Sequence, residues 1–275
     1  MNSPKPTWRF LDTGAGNGPF NMAADEVLAR NSSAQLPTLR LYKWNPFTVS
    51  LGFHQDWREI DADKCRRQGV EIVRRPSGGK AIYHAEEITY SVIIPSTSEL
   101  YACRVTALYK KISSALLQGL HHFDKGLTLA RRKRNKSEDE KEEIEAVCFT
   151  TGAQYEIQYA SKKVVGSAQR RFDHSILQHG SIMLGNEHLN IVSFLPGTSN
   201  MDGQRFRNYL NNHTISIENI LKRKVTYDEI VPVLKRGFEQ VFQTDLSGDS
   251  LSEEETARIH ALGKKYQNYG GYHHA

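Results

Sequence analysis

The chain has 275 residues, of which 39% are hydrophobic and 24% are charged. These proportions are those of an ordinary globular protein, and they exclude a disordered, collagen-like or low-complexity architecture for most of the chain. Lysine and arginine outnumber aspartate and glutamate by 36 to 31, which gives a formal net charge of +5. That excess suits nucleic acid and acidic protein partners equally well, so charge alone does not choose between them.

Cysteine usage and apolar runs narrow the class of protein further. Cys65, Cys103 and Cys148 are odd in number, widely spaced and without a CxxC pair, which predicts free thiols and a cytoplasmic location. No apolar run reaches the roughly 18 residues of a membrane span, and the opening MNSPKPTWRFLD lacks the pattern of a secretion signal. The histidines show no metal-binding spacing such as HExxH, so we expect no metal site.

Hydrophobic spacing predicts a strand, a helix and two further strands in the N-terminal part. The first strand contains Trp8 and Phe10, and a glycine-rich turn is predicted from Thr13 to Pro19. Two half-buried strands, containing Leu39–Leu41 and Val49–Phe53, come after the helix because apolar and polar residues alternate there. The helix itself is predicted from apolar residues at helical spacing: Phe20, Ala23, Ala24, Val27 and Leu28.

The middle of the chain reads as strands around one long helix. Three strands separated by turns are predicted over 70–95, a helix over 106–123, a hairpin over 155–165 and a strand over 176–184. The segment 131–145 has a basic half followed by an acidic half. It is typical of a solvated loop, and the alternative is a loop that closes over a site or docks a partner.

The C-terminal part is predicted to be helical. Thr226 with Glu229, and Ser252 with Glu255, have the spacing of capping boxes, in which two residues cap a helix N-terminus reciprocally. We therefore divide the chain into a core over 1–185, in which the strands are predicted, and a helical subregion over 186–275 that packs on it.

Three segments contain residues suited to chemistry. Arg74–His84 (RRPSGGKAIYH) and Lys162–Arg171 (KKVVGSAQRR) each combine glycine with basic residues, so their backbone N–H groups can approach a ligand closely. Taken singly, each also fits an ordinary glycine hairpin with surface cations. Cys148, in the third segment, is either a buried inert thiol or a nucleophile whose thiolate is favoured by the ammonium of Lys163.

Together the motifs resemble those of the superfamily of lipoate–protein ligase A and lipoyl/octanoyl transferases. RRPSGGKAIYH is similar to its RRx[ST]GG…H signature, KVVGSAQ to its KxxG[ST]AQ signature, and HGSI within Ile176–Leu184 to the strand that follows. The segments WRFLDTG, NMAADE and SLGFHQ also resemble the family opening. The likeness is strongest to LipM-type octanoyltransferases, with Ala85 standing where aspartate is common.

This resemblance implies that the core over 1–185 is the catalytic core, and it implies a fold and a reaction. The fold is the biotin/lipoate A/B protein ligase fold, related to class II aminoacyl-tRNA synthetases: α+β, with a mixed, mostly antiparallel sheet and flanking helices. The reaction transfers octanoyl from acyl carrier protein, through a thioester on Cys148, to a lysine of the glycine cleavage H protein or a lipoyl domain. No cofactor is expected. The alternatives are an ATP- and Mg²⁺-dependent lipoate–protein ligase and a lipoyl/octanoyl amidotransferase. A nucleic-acid-binding protein is a less favoured hypothesis.

The resemblance also implies roles for individual residues. Lys163 joins Cys148 in catalysis, where it favours the thiolate and helps to manage the protons of the incoming amine. Backbone N–H groups near Gly79 and Gly166 stabilise the oxyanion. Val164 and Val165 are expected to shape the acyl tunnel. A basic docking face for the acidic carriers is expected at Arg74, Arg75, Arg170 and Arg171. The residues expected to bind substrate are Arg75, Ser77, Gly78, Gly79, His84, Gly166, Ser167, Ala168, Gln169, His179 and Gly180.

Overall fold

The fold comes from a computed structural model, which describes residues 5–31, 36–131, 155–197 and 200–270. Within these ranges the chain forms three β-sheets and seven α-helices, with short 3₁₀ helices between some of them. Helices cover both faces of the largest sheet, which also supplies most of the candidate site.

The main sheet has six strands and contains both parallel and antiparallel neighbours. From one edge to the other its strands are β10 (Val165–Arg171), β11 (Ser175–Met183), β6 (Glu87–Pro95), β2 (Thr38–Trp44), β1 (Thr7–Gly16) and β12 (Asp245–Asp249). The three pairings from β10 to β2 are antiparallel, whereas β1 is parallel to both β2 and β12. The predicted mixed, mostly antiparallel sheet and the α+β class are confirmed.

The alternating direction of the side chains along β6 explains why helices pack on both faces of the main sheet. Ile88, Tyr90, Val92 and Ile94 lie in one apolar core with α3 (Val105–Leu120) and α6 (Tyr227–Phe242). Ile93 faces the other way and packs with Leu28 of α1 (Gly18–Arg30), and α7 (Glu253–Gly270) packs on α1 in turn. The main sheet is therefore buried between two helical layers, because successive side chains of a strand point to opposite faces.

Two smaller sheets complete the described structure. The first contains β4 (Glu71–Arg74), β3 (Thr48–Leu51) and β5 (Ile82–His84), and the second contains β7 (Thr128–Arg131), β8 (Tyr155–Tyr159) and β9 (Lys162–Lys163). The remaining α-helices are α2 (Ala62–Arg67), α4 (Asn200–His213) and α5 (Ile217–Leu221), and the longest 3₁₀ helix among the described residues is Glu187–Phe194. Of these, α2, α4 and the 3₁₀ helix share an apolar core with the β3–β5 sheet.

Several elements follow the local sequence pattern closely. The helix predicted over 106–123 is α3, and the reciprocal capping bonds of Thr226 and Glu229 begin α6 as expected. The hairpin turn at Ala160 and Ser161 has both residues at positive φ, between β8 and β9. These predictions are confirmed because each depends on contacts between residues close in sequence.

The predicted turn over 13–19 is wrong in its first half. β1 continues to Gly16 and pairs with β2 up to Trp44, with a register shift between Asp12 and Gly14. Gly14 has a φ of +61°, so the glycine absorbs an irregularity within the strand and does not end it. Similarly, β3 is buried on both faces where the alternation predicted a half-buried strand.

The C-terminal part contains a strand that the sequence pattern did not indicate. β12 reads DLSGD, which lacks the β-branched and aromatic residues typical of strands. It forms because β1 offers an unpaired edge, and Thr7–Leu11 pairs with Asp245–Asp249. The described residues after 185 are otherwise mainly helical.

Candidate functional site

A narrow, mainly apolar pocket lies where the main sheet meets the turn and strand that follow β4. It is lined by Met22, Tyr42, Trp44, Arg75, Ile82, His84, Thr89, Gly166, Ser167, Ala168, His179, Gly180 and Ser181. Seven of the residues expected from the sequence to bind substrate are in this set. They come from three separate motif segments, which in chain order are Arg74–His84, Lys162–Arg171 and the HGSI segment His179–Ile182. Ser77, Gly78, Gly79, Gln169 and Lys163 do not line the pocket.

The first motif segment forms a braced turn between β4 and β5. The guanidinium of Arg75 donates to the carbonyls of Ser50, Gly78 and Lys80, at 2.7–2.9 Å. Gly79 has a φ of +98°, a conformation that other residues adopt only with strain. The turn is thus held rigidly beside the pocket.

The second and third motif segments are adjacent strands. Antiparallel pairing of β10 with β11 places Ser167 opposite Gly180 and Ala168 opposite His179. A Cβ added to Gly180 would lie 2.2 Å from the carbonyl oxygen of Gly166, so only glycine allows this approach. Close packing of the two strands explains the glycine at position 180.

His179 belongs to a line of buried polar side chains. Its Nε2 lies 2.5 Å from Ser77 Oγ, and its Nδ1 lies 2.9 Å from Asp25 Oδ2. Arg40 donates to Asp25 Oδ1 at 2.7 Å, and the Tyr42 hydroxyl donates to Oδ2 at 2.9 Å. Burial alone would raise the pKa of Asp25, but the hydrogen bond from His179 and the charge of Arg40 outweigh it and lower that pKa.

His84 belongs to a second, similar line. Its Nε2 lies 2.7 Å from Ser50 Oγ and its Nδ1 lies 2.8 Å from Glu87 Oε1. The indole of Trp44 stacks on the imidazole with ring centroids 4.1 Å apart. Each histidine therefore has a carboxylate at Nδ1, which places the ring proton there and leaves Nε2 to accept from a serine hydroxyl.

Lys163 lies on β9 and is buried. Its Nζ forms an ion pair with Glu156 Oε1 at 2.9 Å, and its backbone carbonyl accepts from Ile215 N–H. Cys148 and the charged segment, apart from Arg131, lie outside the described residues. The free thiols that are described differ from a nucleophile: burial raises the pKa of Cys65 to about 12, and Cys103 is half-buried.

Two expectations about the surroundings of the site need correction. Arg75 is buried and its guanidinium is directed at backbone carbonyls, so it does not belong to an exposed docking face. Arg171 is exposed, and Arg74 and Arg170 are half-buried. Val164 and Val165 pack into the apolar core beneath α3 and α6, and the pocket wall is formed by other residues.

The residues that orient His179 and bind Lys163 were not predicted from the sequence. Asp25 and Arg40 have no exposed surface, and no role was assigned to them or to Glu156. The sequence did contain a signal for Asp25 and Arg40. Asp25 lies four residues after Asn21 in the predicted helix, and Arg40 lies between Leu39 and Leu41 in a predicted strand. Charged residues at positions bound to be buried indicate a polar network.

Comparison with known proteins places the chain in a family. Residues 17–239 match the model of the lipoyl protein ligase A/B catalytic domain, so the chain belongs to that family. Among solved structures, it resembles the bipartite lipoate protein ligase of Thermoplasma acidophilum with a TM-score of 0.74. That likeness covers 96% of this chain and 93% of the other at 21% identity, and it shows the shared fold.

Its similar curated relatives are named octanoyltransferase LipM. The chain is 36% identical to the one from Lysinibacillus sphaericus over 94% of its own length and 95% of the relative's. It is 35% identical to the one from Bacillus subtilis over the same shares of the two chains. The predicted LipM-type resemblance is confirmed.

Two kinds of feature are absent from the described residues. None of the helices there has the length and apolar character needed to cross a membrane. Nor does that part of the chain bring three or more histidine, cysteine, aspartate or glutamate side chains together in a way that could hold a metal ion.

Proposed function

We propose that the protein is an octanoyltransferase of lipoate biosynthesis. It takes octanoyl from acyl carrier protein, holds it as a thioester on Cys148, and passes it to a lysine of the glycine cleavage H protein or a lipoyl domain. The observation that carries the proposal is the convergence of three motif segments on one pocket, to which they contribute Arg75, Gly166 and His179. The near full-length similarity to octanoyltransferases LipM supports it.

The first half-reaction loads the enzyme. The Cys148 thiolate attacks the carbonyl carbon of the octanoyl thioester, the bond to the carrier's sulfur breaks, and the carrier thiolate leaves. The ammonium of Lys163 favours the thiolate form of the nucleophile. Backbone N–H groups near Gly79 and Gly166 stabilise the oxyanion of the tetrahedral intermediate, an effect of about 3–4 kcal/mol per well-placed donor.

The second half-reaction transfers the octanoyl group from the enzyme to the acceptor protein. The neutral amine of the acceptor lysine attacks the thioester on Cys148, a carbon–nitrogen bond forms and the carbon–sulfur bond breaks. The proton that the attacking nitrogen loses neutralises the departing cysteine thiolate. Because the donor is already an activated thioester, the reaction requires neither ATP nor a metal ion. Two successive half-reactions let a single site serve two carrier proteins in turn.

The apolar wall of the pocket suits the acyl chain. Met22, Trp44 and Ile82 contribute hydrophobic surface to it. Each methylene that leaves water for such a wall contributes about 0.8 kcal/mol. This wall takes the place of the valine tunnel expected from the sequence.

The partners and location follow from charge and thiol chemistry. The net charge of +5, with Arg171 exposed near the pocket strands, favours encounter with acidic carrier proteins. The described cysteines are free thiols, which suits the reducing cytoplasm.

The test is an assay without ATP. Purified protein is mixed with octanoyl acyl carrier protein and apo H protein, and intact masses are followed by mass spectrometry. We expect an octanoyl adduct on the enzyme first and on the H protein afterwards. Cys148→Ala should abolish both, whereas Cys65→Ala, the control for loss of a thiol, should keep both.

Other outcomes identify the alternatives. Modification of the H protein that needs ATP and Mg²⁺ and persists in Cys148→Ala would identify a lipoate–protein ligase. Octanoyl accepted from the H protein but not from acyl carrier protein would identify an amidotransferase. Either result would overturn the proposal.

A further inference from the structure

The pocket is open to solvent at one end only among the described residues. Its half-buried lining residues are Ser167, Ala168 and Gly180, and its other lining residues are buried. Ser167 and Ala168 lie on β10, which is an edge strand of the main sheet, and Gly180 lies on the neighbouring strand β11. A ligand therefore enters at the β10 edge, and the interior of the pocket lies towards β6 and β2.

A row of paired residues crosses the sheet beneath the pocket. Gly166 pairs with Ser181, and Ser181 pairs with Thr89. Thr89 in turn pairs with Tyr42. All four line the pocket, and their side chains increase in size from the open end towards β2. The hydroxyls of Ser181 and Thr89 both donate to Glu87 Oε1, at 2.8 and 2.6 Å, so they are occupied within the protein and the row suits a hydrocarbon chain.

Two aromatic rings on β2, Tyr42 and Trp44, close the inner end of the row. They are alternate residues of one strand and so lie on the same face of the sheet. The Tyr42 hydroxyl donates to Asp25 Oδ2 at 2.9 Å, and Trp44 Nε1–H donates to Thr89 Oγ1 at 2.7 Å. The indole also stacks on His84 with ring centroids 4.1 Å apart. Neither ring can move aside without the loss of a buried hydrogen bond, so the two form a rigid end wall.

The length of the row matches a chain of eight carbons. From Gly166 to Thr89 the row crosses two intervals between neighbouring strands, which amounts to about 10 Å. The third interval is occupied by the end wall. With carbon–carbon bonds of about 1.5 Å, an extended octanoyl group is about 9 Å long, and two further methylenes add about 2.5 Å. A longer chain would therefore press against rings that are fixed in place.

We propose that Tyr42 and Trp44 set the length of the acyl chain that the enzyme transfers, a role that rests on the proposed octanoyltransferase function. The carbonyl group lies beside the backbone of Gly166, and the chain runs across Ser181 and Thr89 until its methyl end meets the indole of Trp44. A shorter chain leaves apolar wall without contact, and a longer chain overpacks the end wall. The two aromatic residues determine specificity and take no part in the chemistry.

The first experiment compares chain lengths in the full-length protein. Acyl carrier protein carrying hexanoyl, octanoyl or decanoyl is mixed with apo H protein, and kcat/KM for transfer is measured by intact mass. In the wild type, kcat/KM should rise about tenfold from six to eight carbons, because two more methylenes leave water. It should then fall about tenfold from eight to ten carbons, because the added methylenes overpack the end wall.

Two matched variants test the end wall. Trp44→Phe, with a smaller ring and no N–H, should raise the decanoyl-to-octanoyl ratio of kcat/KM by about tenfold, because it relieves the overpacking. Trp8→Phe makes the same change at a tryptophan that is also 3% exposed, but that packs against Phe238 and Phe242 away from the pocket. It should leave the ratio unchanged. A wild-type rate that continues to rise at ten carbons, or an unchanged ratio in Trp44→Phe, would overturn the end wall.

A binding measurement decides the matter independently of transfer. The chain has three tryptophans, so Trp44 is the only one left in the double variant Trp8→Phe with Trp57→Phe. Octanoic acid brominated at its terminal carbon should quench the Trp44 fluorescence more strongly than octanoic acid brominated beside the carboxyl group, because bromine quenches on contact. Equal quenching by the two acids, or none by either, would overturn the end wall. Quenching as expected without transfer of any acyl chain would instead overturn the proposed function. If Trp44→Phe does not fold, the wild-type series and the quenching decide.

Discussion

The Asp25–Arg40 pair beneath the pocket and the Arg9 ion pairs at the far edge of the main sheet differ in how much water reaches them. Asp25 and Arg40 have no exposed side-chain surface. Arg9 is 12% exposed and binds Glu255, which is 6% exposed, and Asp249, which is 50% exposed. One pair supports the residues of the site, and the other joins β1 to β12 and α7.

The two regions differ in how an ion pair contributes to the stability of the fold. In a fully buried pair, desolvation of both partners offsets most of their attraction, so the main effect of the pair is to fix the geometry of the two side chains. Removal of one partner strongly destabilises the fold, because it leaves the other charge buried and unpaired. A pair in which one partner is half-exposed, such as Arg9 with Asp249, adds less stability when present and costs less when broken, because water replaces the missing partner. We therefore expect the molecule to tolerate changes at the β12 edge and not at the pocket.

The largest effect is expected at Asp25. Asp25→Ala leaves the Arg40 guanidinium buried without its carboxylate, and the free energy of unfolding should fall by about 3–5 kcal/mol. Urea titration at pH 7 measures it. The double variant Asp25→Leu with Arg40→Met should recover part of the loss, because no charge is then left unpaired. A loss below about 1 kcal/mol in the single variant would contradict the contrast between the two regions.

The next effect compares one glycine from each region. Gly180→Ala places a Cβ 2.2 Å from the Gly166 carbonyl, so β10 and β11 must separate. We expect a loss of about 1–3 kcal/mol from this overpacking, together with loss of octanoyl transfer. Gly248→Ala in β12 is the matched control: nothing lies within 4 Å of its added Cβ, and stability should change by less than about 0.5 kcal/mol. Equal losses in the two variants would show that close packing is not particular to the pocket.

A smaller, pH-dependent effect is expected at Arg9. Burial would raise the pKa of Glu255, but the hydrogen bonds from Arg9 and Ser252 and the charge of Arg9 together outweigh it and lower that pKa. For Asp249, the Ser250 backbone N–H and then Arg9 lower the pKa. Carboxyls with lowered pKa stabilise the fold above their ordinary value near 4, and the stabilisation is lost as pH falls through the lowered value. Arg9→Ala should cost about 1 kcal/mol at pH 7 and progressively less below about pH 4. Unfolding curves at several pH values test this, and a gap that widens in acid would be the wrong sign.

The smallest effect is expected at an exposed pair. Arg58 donates to Asp56 at 2.7 Å and lowers the pKa of that carboxyl to about 2. The two residues are only two apart in sequence, so the pair also forms in the unfolded chain and favours neither state. Arg58→Ala should leave the thermal midpoint unchanged. A clear drop in the midpoint would show that this turn contributes more than its local contacts suggest.

Local elements were predictable because their causes lie close together in the chain. The apolar stripe of α3, the capping box of α6 and the turn at Ala160–Ser161 each depend on residues within one or two turns of each other. The strand β12 was not predictable, because DLSGD becomes a strand only where β1 supplies a partner. Likewise, the turn expected at 13–19 gave way to pairing with β2, which a sequence pattern does not contain.

The same division applies to the candidate site. The sequence determined the chemical types available in three motif segments, and resemblance to a family indicated which of them belong together. The tertiary structure decided that Asp25 orients His179, that Glu156 binds Lys163, and that Arg75 is buried against backbone carbonyls and does not face a partner. These contacts join residues from separate elements, and their energies depend on exclusion of water, which exists only once the sheets and helices have packed.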